Sequence, residues 1–485
     1  MRTVTGDRAL NHRLSRGVLL VAALYALCCG TLPERGSAAD EEDGSRLTLV
    51  GGTIAGTPES QPASAPTSTA TTTTAAATAT SSASAPTEKH DRYLAVVNGC
   101  VHTITGPVLA RATILCKNDK IVAIGSNLPL PTDCQVVDAA GRDVYPGLVA
   151  AQATGIHGPD NPADTTNVFG LNMNIALAAG ITTALAGNHV AKLTFGSTEG
   201  LLVRSPAYVE LEYSTSKPLE RGQLRADLER VRDYLRQLRQ YTLDQQAGKA
   251  VQPPDKEWIK ERYERYRQLL THEAIAVISA NTTHELAEAA ELARRFNFHL
   301  VVRGALEGWT VAARLGQAGA GAVITVRAAQ PPDERFNRPT GATIENARRL
   351  AEHGVTVAVI PPTPSITLWG LAGRDLLHLN MEAAFAVRGG MSNEDALRTI
   401  TIDAARVLGV DDRVGSLEVG KDADIIVCDG DLLHYMTQVQ VTIVNGRVVY
   451  DKSKDTLFAH IRPTGRREVP QFDDQWPRRL QWPAE

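Results

Sequence analysis

Short apolar segments alternate with helical segments through the middle of this chain, and no other feature of the sequence limits its fold as strongly. The clearest helical patterns begin with N-cap residues, at 281–285 before a predicted helix at 286–296 and at 392–395 before one at 396–408. The apolar runs predicted as strands are 181–185, 208–211, 274–279, 300–303, 322–326 and 355–360. This alternation predicts an α/β fold whose parallel sheet closes into a (β/α)8 TIM-like barrel over residues 145–412, with an open doubly wound sheet as the alternative. The open sheet is disfavoured because no glycine-rich nucleotide loop follows a first strand.

The barrel segment is flanked by two β segments of similar character. Strand–turn patterns occur around Asn98-Gly99 and Asn118-Asp119 in the first segment and around Asn445-Gly446 in the second. We therefore predict one small, discontinuous β-sandwich domain built from residues 92–144 and 413–452. Residues 216–271 interrupt the barrel with charged amphipathic helices, which form either a solvated helical hairpin or a lid or partner surface over the barrel mouth.

Residues 1–39 have the pattern of a secretory signal peptide. Arginines precede an apolar run at 17–32, and Ser37-Ala38-Ala39 offers small residues for cleavage. A membrane anchor and a lipoprotein signal at Cys28 or Cys29 are the alternatives. Threonine, alanine, serine and proline dominate a low-complexity linker at 40–91, and 453–485 form a C-terminal tail. We expect an exported protein, periplasmic or extracellular, that meets a membrane only through an uncleaved leader.

Charge and cysteine content narrow the function further. A net charge of −4 gives no electrostatic case for a nucleic-acid partner. Beyond the leader the chain carries Cys100, Cys116, Cys134 and Cys428, and no pair has the spacing of a zinc ribbon or a redox motif. The first three fall in one predicted β region, where they either form a disulfide or stay free and buried. The sequence leaves a homo-oligomer open.

Residues 381–427 resemble the closing helices and the return to the β-sandwich of imidazolonepropionase-like amidohydrolases. The most specific element is Gly420-Lys-Asp-Ala-Asp424. Pro146-Gly147 stands where the strand-1 signature of the amidohydrolase superfamily begins, and the resemblance extends over residues 92–452. It implies a barrel with a small β-sandwich and a metal-dependent hydrolase that acts on carbon–nitrogen bonds other than peptide bonds.

The resemblance also implies which positions would hold one or two divalent metals, commonly zinc, through imidazole and carboxylate ligands. At the family's histidine positions this chain has Gln152 and Thr154 on strand 1, Ser279 on strand 5 and Arg303 on strand 6. Pro362 lies where strand 8 would carry the aspartate that accepts the proton of the metal-bound water. None of these is a good zinc ligand, so the sequence predicts no metal cofactor.

The four positions from strands 1, 5 and 6 would instead converge at the barrel mouth as a ligand-binding site of hydrogen-bonding groups with one fixed positive charge. Arg303 would either bind an anionic ligand or pair with Glu210, Glu212 or Glu307. By position, Glu210 or Glu212 is also the candidate for the family's strand-4 ligand, and Lys192 lies near another family lysine.

Histidines elsewhere offer a different site. If the metal has moved, His157, His189 and His284 lie near predicted strand ends and would be its ligands. The sequence therefore leaves three functions: a non-catalytic or altered-chemistry relative that binds a small polar or anionic ligand, an active amidohydrolase with a relocated or unusual metal site, and an envelope interaction or scaffold protein. The first is favoured because the metal-ligand positions are substituted on several strands independently.

Overall fold

The computed structural model describes residues 91–158, 160–213, 215–367 and 373–454. The predicted signal peptide, nearly all of the predicted linker and the tail beyond residue 454 lie outside these residues. Within them, no helix combines the length and the apolar character needed to cross a membrane. Cys100, Cys116, Cys134 and Cys428 are free, so the disulfide alternative is not supported.

The described secondary structure runs from β strands through an alternating region and back to β strands. The strands are β1 (Tyr93–His102), β2 (Val108–Lys117), β3 (Lys120–Gly125), β4 (Cys134–Asp138), β5 (Asp143–Pro146), β6 (Leu148–Ala153), β7 (Ile181–Ala186), β8 (His189–Lys192), β9 (Leu202–Arg204), β10 (Tyr208–Glu210), β11 (Ile275–Ala280), β12 (Leu300–Gly304), β13 (Gly321–Ile324), β14 (Thr356–Val359), β15 (Ile425–Cys428), β16 (Val439–Val444) and β17 (Arg447–Asp451). The α-helices are α1 (Pro162–Thr165), α2 (Leu171–Ala178), α3 (Pro218–Gln246), α4 (Arg262–Leu270), α5 (Thr283–Phe296), α6 (Gly308–Gln317), α7 (Asn346–Glu352), α8 (Leu379–Arg388), α9 (Asn393–Thr399) and α10 (Ile402–Leu408).

Strands from both ends of the described chain build one sheet. Its order is β17-β16-β15-β5-β1-β2-β3, and β4 pairs with β1 outside this path. Strand β5 pairs with β1 in parallel and with β15 antiparallel, so the C-terminal strands join the sheet along β5. The sheet buries an apolar cluster that includes Leu94, Ile114, Val144, Ile425 and Ile443.

Two asparagine turns are confirmed and one is wrong. Asn118 closes the β2–β3 hairpin and Asn445 closes the β16–β17 hairpin, both with positive φ. Strand β1 instead continues through Asn98-Gly99 and pairs with β2 on both sides of it. Asn98, with φ of 58°, lies at a bulge in β1. An Asn-Gly pair suits left-handed backbone in a bulge as well as in a turn, so the dipeptide alone does not separate the two.

The middle of the chain forms the barrel. Strands β10 to β14 make a parallel sheet in sequence order, and β6 pairs with β7 in parallel. Backbone contacts join the two sets: the Ala207 amide donates to the Asn188 carbonyl at 2.8 Å, and Thr154 forms a parallel bridge with Ser365 beyond β14. The chain after β7 departs from the simple repeat, because β8 and β9 are antiparallel. Only two residues connect β7 to β8, and such a short connection cannot cross over to a parallel strand.

Alternate residues of the parallel strands point into the barrel. Val149, Val277, Val301, Val323 and Ala358 belong to one buried cluster. This alternation follows from the two-residue period of a strand, and it decides which side chains further along each strand reach the barrel mouth.

Helix α10 closes the barrel at the amino ends of the strands. Val149, near the start of β6, donates its amide to the Ile400 carbonyl at 2.9 Å, and Gly321 at the start of β13 lies against Val407. The predicted single helix at 396–408 is therefore two helices, α9 and α10, with Thr401 outside the helical region. An unbroken helix would use the Ile400 carbonyl internally, whereas here it serves the barrel.

A buried lysine joins the barrel to the sandwich sheet. The Nζ of Lys192, on β8, lies 2.6 Å from Asp422, 3.0 Å from Asp424 and 2.6 Å from the side-chain oxygen of Asn445. Burial raises the pKa of Asp422, but Lys192 and neighbouring cations outweigh this effect and hold that pKa below its ordinary 3.8. Lys192 thus contacts the Gly420–Asp424 segment, the most specific part of the family resemblance, and does not lie at the barrel mouth.

Candidate ligand site at the barrel mouth

An open pocket of about 350 Å³ lies at the carboxyl ends of the barrel strands. Its lining is mainly apolar, with an amide, a guanidinium and a hydroxyl among the hydrocarbon groups. The lining residues are Gln152, Arg303, Gly304, Leu306, Val323, Thr325, Ala328, Ile360 and Pro362. Barrel proteins place their sites at this end of the strands.

Strand alternation explains why polar side chains occur here. Arg303 follows the inward-facing Val301 by two residues on β12, and Ser279 follows the inward-facing Val277 by two on β11. Ser279 and Arg303 are register partners, so their side chains share one face of the sheet. Thr325, the residue directly after β13, likewise follows Val323 by two residues. Their positions past the apolar interior place these groups at the mouth.

A glycine ends the strand directly after Arg303. Gly304 has φ of +94°, and a Cβ there would collide with the Asn281 side chain. Another residue would be strained in both respects. The turn therefore fixes the last side chain of β12, that of Arg303, at the edge of the pocket.

Arg303 has a loose ionic partner. Its Nη1 lies 3.5 Å from Glu210 Oε1, while the Glu210 side chain is 68% exposed and that of Arg303 is 28% exposed. Glu212 instead pairs with Lys217 at 3.3 Å. An exposed pair at this distance is worth little, so Glu210 leaves most of the hydrogen-bonding capacity of Arg303 for other groups.

Glu307, also considered as a partner for Arg303, belongs to a different network. This buried carboxylate accepts hydrogen bonds at 2.8 Å from both the amide and the hydroxyl of Thr283, and one from Arg338 at 3.0 Å. The Gly341 amide donates to its other oxygen at 3.1 Å. Burial raises the pKa of Glu307, but these bonds lower it more, and the net pKa lies below the ordinary value. Glu307 therefore ties α5 and the 338–341 loop to the start of α6.

The predicted site residues do not all converge. Gln152, Arg303 and Pro362 line the pocket, and Ser279 lies beside Arg303 in register. Thr154 is exposed, and its hydroxyl donates to the Pro364 carbonyl at 3.2 Å. Its backbone takes part in the bridge that closes the barrel, so Thr154 serves closure.

The three fallback histidines stay apart from one another. His157 is buried, with Nδ1 3.4 Å from the Thr166 hydroxyl and no partner on Nε2, and burial lowers its pKa to about 4. His189 lies 2.8 Å from the Ser205 hydroxyl, and His284 lies on the exposed surface of α5, 3.4 Å from Glu288. Within the described ranges, the one group of three histidine, cysteine or acidic side chains spaced to hold a metal ion is elsewhere, on the sandwich sheet.

Tyr208 is a barrel residue that the sequence analysis did not single out. It is buried among the inward-facing residues, and its hydroxyl makes no hydrogen bond in the described structure. Burial raises the pKa of this hydroxyl, while the charge of Arg303 acts in the opposite direction. Tyr208 precedes Glu210 by two residues, so strand alternation could have placed it on the inner face.

A second arginine braces the rim of the pocket. Arg327, between the lining residues Thr325 and Ala328, points away to Glu382, a fully buried carboxylate on α8. The Arg327 side chain donates to it at 2.7 Å and the Arg327 amide at 2.9 Å. The guanidinium also lies over the Phe385 ring at 4.7 Å. These contacts fix the loop after β13 on α8.

Comparison with known proteins agrees with this architecture. A profile of the family described as "Amidohydrolase family" matches residues 158–450, more than half of the chain. The chain belongs to the amidohydrolase family.

Comparison with individual proteins shows how far the likeness extends. An imidazolonepropionase from Symbiobacterium thermophilum is 24% identical over 402 residues, which are 72% of this chain and 92% of that protein. A 5-methylthioadenosine/S-adenosylhomocysteine deaminase from the same organism is 40% identical over 72 residues, only 12% of this chain and 16% of the deaminase. The crystal structure of an amidohydrolase from Thermotoga maritima MSB8 superposes with a TM-score of 0.54 at 23% identity, covering 74% of this chain and all of that one. The predicted barrel with a small β-sandwich is confirmed.

The polar groups at the mouth of this amidohydrolase-family barrel are poor ligands for a divalent cation. The pocket presents the Gln152 amide, the Thr325 hydroxyl and the Arg303 guanidinium. Divalent zinc prefers thiolate, imidazole and carboxylate ligands, and a permanently charged guanidinium repels a cation. Glu210 is the carboxylate beside Arg303, and one exposed carboxylate does not make a closed metal site.

Proposed function

We propose that this amidohydrolase-family protein binds a small anionic molecule at the barrel mouth and performs no metal-dependent hydrolysis there. The observation that carries the proposal is Arg303, which lines the pocket with a weak, largely exposed partner. A carboxylate grips a guanidinium through two parallel hydrogen bonds and would displace Glu210 without breaking a buried pair. Gln152 and Thr325 add polar contacts.

The apolar lining narrows the ligand class. Leu306, Val323, Ile360 and Pro362 offer hydrocarbon surface next to the charged group. A volume of about 350 Å³ lies at the lower end of the range of small-molecule pockets. The preferred ligand is therefore a small carboxylate with an apolar body, rather than a highly polar ion such as phosphate.

Paired probes test the role of charge. Benzoate and benzamide have similar shapes and differ in charge, so calorimetric titration of both isolates the contribution of Arg303. We expect benzoate to bind at least about tenfold more tightly, and Arg303→Met to remove that preference. The exposed helix residue Arg236 provides the control, since Arg236→Met should change neither affinity. Equal binding of the two probes, or a preference that survives Arg303→Met, would contradict the proposal.

Metal content tests the second part of the proposal. The measurement is best made on a Cys100→Ser variant, because the sandwich sheet carries its own metal-ligating side chains. After equilibration with zinc and desalting, this variant should hold well under one equivalent. Stoichiometric zinc that is lost on substituting His157 or His189 would instead establish a relocated metal site and contradict this part of the proposal.

We further propose that the protein acts outside the cytoplasm. The arginine-rich start, the apolar run at 17–32 and the small residues at 37–39 support this location. Sequencing of the native protein should give an N-terminus near Asp40. An intact Met1 on protein recovered from the cytoplasmic fraction would rule out cleavage and export.

A further inference from the structure

The sandwich sheet carries a cluster of metal-ligating side chains that the barrel site does not use. Cys100 and His102 lie on β1, and Asp143 begins β5. Cys100 and Asp143 are register partners in the parallel pairing of these strands. One ligand atom from each of the three side chains lies within 4.8 Å of the others. They thus combine a thiol, an imidazole and a carboxylate on neighbouring strands.

The distances within the cluster are close to those of a tetrahedral zinc site. The Cys100 Sγ lies 3.8 Å from His102 Nε2, which in turn lies 2.8 Å from Asp143 Oδ1. Usual zinc–ligand bond lengths place sulfur and nitrogen ligands about 3.6 Å apart and nitrogen and oxygen ligands about 3.3 Å apart. The thiol and the imidazole already have nearly this spacing, and the carboxylate would move away from the imidazole by about 0.5 Å. The thiol and carboxylate ligand atoms lie within 4.8 Å of each other.

Packing orients the imidazole toward the other two groups. The His102 ring stacks on Tyr145, with centroids 4.3 Å apart and an interplanar angle of 17°. Tyr145 is buried, and its hydroxyl accepts a hydrogen bond from the Leu432 amide at 3.4 Å. The side chains of His102 and Asp143 keep 22% and 27% of their surface exposed, enough for an ion to enter and for water to complete its coordination.

A disulfide, the other role considered for Cys100, is not supported, because all the described cysteines are free.

We infer that Cys100, His102 and Asp143 form a zinc-binding site on the β-sandwich, with a fourth position open to water. Thiolate and imidazole ligands favour zinc over magnesium or calcium, which prefer oxygen. The ion would tie β1 to β5, the strand that leads through Pro146-Gly147 into the barrel. The site is therefore expected to stabilise the junction between sheet and barrel, independently of any ligand at the barrel mouth.

Cobalt provides a spectroscopic test on the full chain. Reduced, metal-free protein titrated with Co²⁺ should develop a thiolate-to-cobalt charge-transfer band that saturates at one equivalent, and Zn²⁺ should bleach it. Cys100→Ser should abolish the band, and His102→Gln should weaken binding at least about 100-fold. Cys134→Ser is the matched control, a half-buried cysteine of the same sheet outside the cluster, and should leave the titration unchanged. No band in the parent chain, or a band that survives Cys100→Ser, would overturn the assignment.

Alkylation of the unsubstituted protein avoids any dependence on how the variants fold. With Zn²⁺ present, iodoacetamide should label Cys100 at least about tenfold more slowly, as read by peptide mass spectrometry, because a zinc-bound thiolate is shielded. Labelling of Cys134 should not change. Equal labelling of Cys100 with and without Zn²⁺ would also overturn the site.

Discussion

At the scale of single residues, Tyr208 buries a hydroxyl that has no hydrogen-bond partner in the described structure. A buried hydroxyl without a hydrogen-bond partner costs about 1–3 kcal/mol. Tyr208 lies among the inward-facing residues of the barrel, at the start of β10 opposite Ile275; burial raises its pKa, and the charges of Arg303 and Arg204 both act to lower it. A ligand or an ordered water that reaches it would satisfy the missing bond.

Tyr208→Phe should therefore separate the effect of this hydroxyl on stability from its effect on ligand affinity. We expect the free energy of unfolding to stay level or rise by about 1 kcal/mol, since the unpaired hydroxyl is removed and the ring is kept. Affinity for a carboxylate probe should fall in the same variant if the hydroxyl contacts the ligand. Urea unfolding and calorimetry measure these two quantities, and Tyr435→Phe, at an exposed position, is the control. A loss of more than about 1 kcal/mol in stability would mean that the hydroxyl has a partner in the free protein.

His157 makes stability depend on pH. Burial lowers its pKa to about 4, below the ordinary 6.5, so the folded protein keeps this ring neutral while the unfolded chain binds a proton. The unfolded state is therefore favoured progressively as the pH falls from about 6.5 to about 4, by up to about 3 kcal/mol.

Substitution by glutamine should remove this pH dependence. We expect the difference in unfolding free energy between the parent chain and His157→Gln to shift in favour of the variant as the pH falls from 7 to 4.5. Urea titrations at several pH values measure it, with His284→Gln on the exposed face of α5 as the reference. A difference that stays constant over this range would mean that His157 is already protonated or accessible in the folded state.

For individual residues, the sequence predicted where a side chain lies better than it predicted which group that side chain contacts. The family resemblance placed Arg303 and Ser279 at the barrel mouth, and the two-residue period of the strands explains why both side chains lie on the inner face. The sequence did not separate Glu210 from Glu307 as the partner of Arg303, because that choice depends on the loop at 338–341, which packs against Glu307 from a distant part of the chain. The role of Thr154 in barrel closure was missed for the same reason, because it depends on Pro364 and Ser365, which are distant in sequence.

At the scale of elements, the contact between β8 and the Gly420–Asp424 turn is the clearest long-range interaction. Lys192 and the two aspartates are all buried, so the ion pairs are shielded from water. The sequence marked this turn as a family signature but did not connect it to a lysine more than 200 residues earlier. It also missed the antiparallel hairpin after β7, because apolar runs predict strands but not their direction.

Lys192→Met should be strongly destabilising. The substitution keeps most of the side-chain volume but leaves Asp422 and Asp424 buried without their shared cation. Removing one partner of a buried pair typically costs about 3–5 kcal/mol. Chemical denaturation measures the loss, and Lys454→Met, which removes an exposed pair with Asp451, should cost less than about 1 kcal/mol. Similar small losses for both variants would show that water reaches the Lys192 network.

At the scale of the whole molecule, the protein combines a barrel with a sheet. The units of the barrel are local in sequence, whereas the strands of the sheet come from distant parts of the chain. The barrel was predictable because most of its units are a strand followed by a helix nearby in sequence. The sheet was predictable in outline because both β segments carry asparagine turns, two of which are real. Its strand order was not predictable, since β5 lies between a neighbour from its own segment and one from the other end of the chain.

That strand order predicts the consequence of removing residues 413–452. Strand β5 would lose β15, its antiparallel partner, and the sheet core would lose Ile425 and Ile443. The exposed edge of β5 would offer unpaired backbone groups to other molecules, which promotes aggregation. Lys192 would also lose Asp422 and Asp424, so the barrel itself would keep an uncompensated buried charge. We therefore expect a chain ending at residue 412 to be insoluble or aggregated in size-exclusion chromatography, whereas a chain ending at residue 454 keeps every described strand and should unfold cooperatively. A monomeric 1–412 chain with a cooperative thermal transition would show that the N-terminal strands and the barrel fold without the C-terminal part of the sheet.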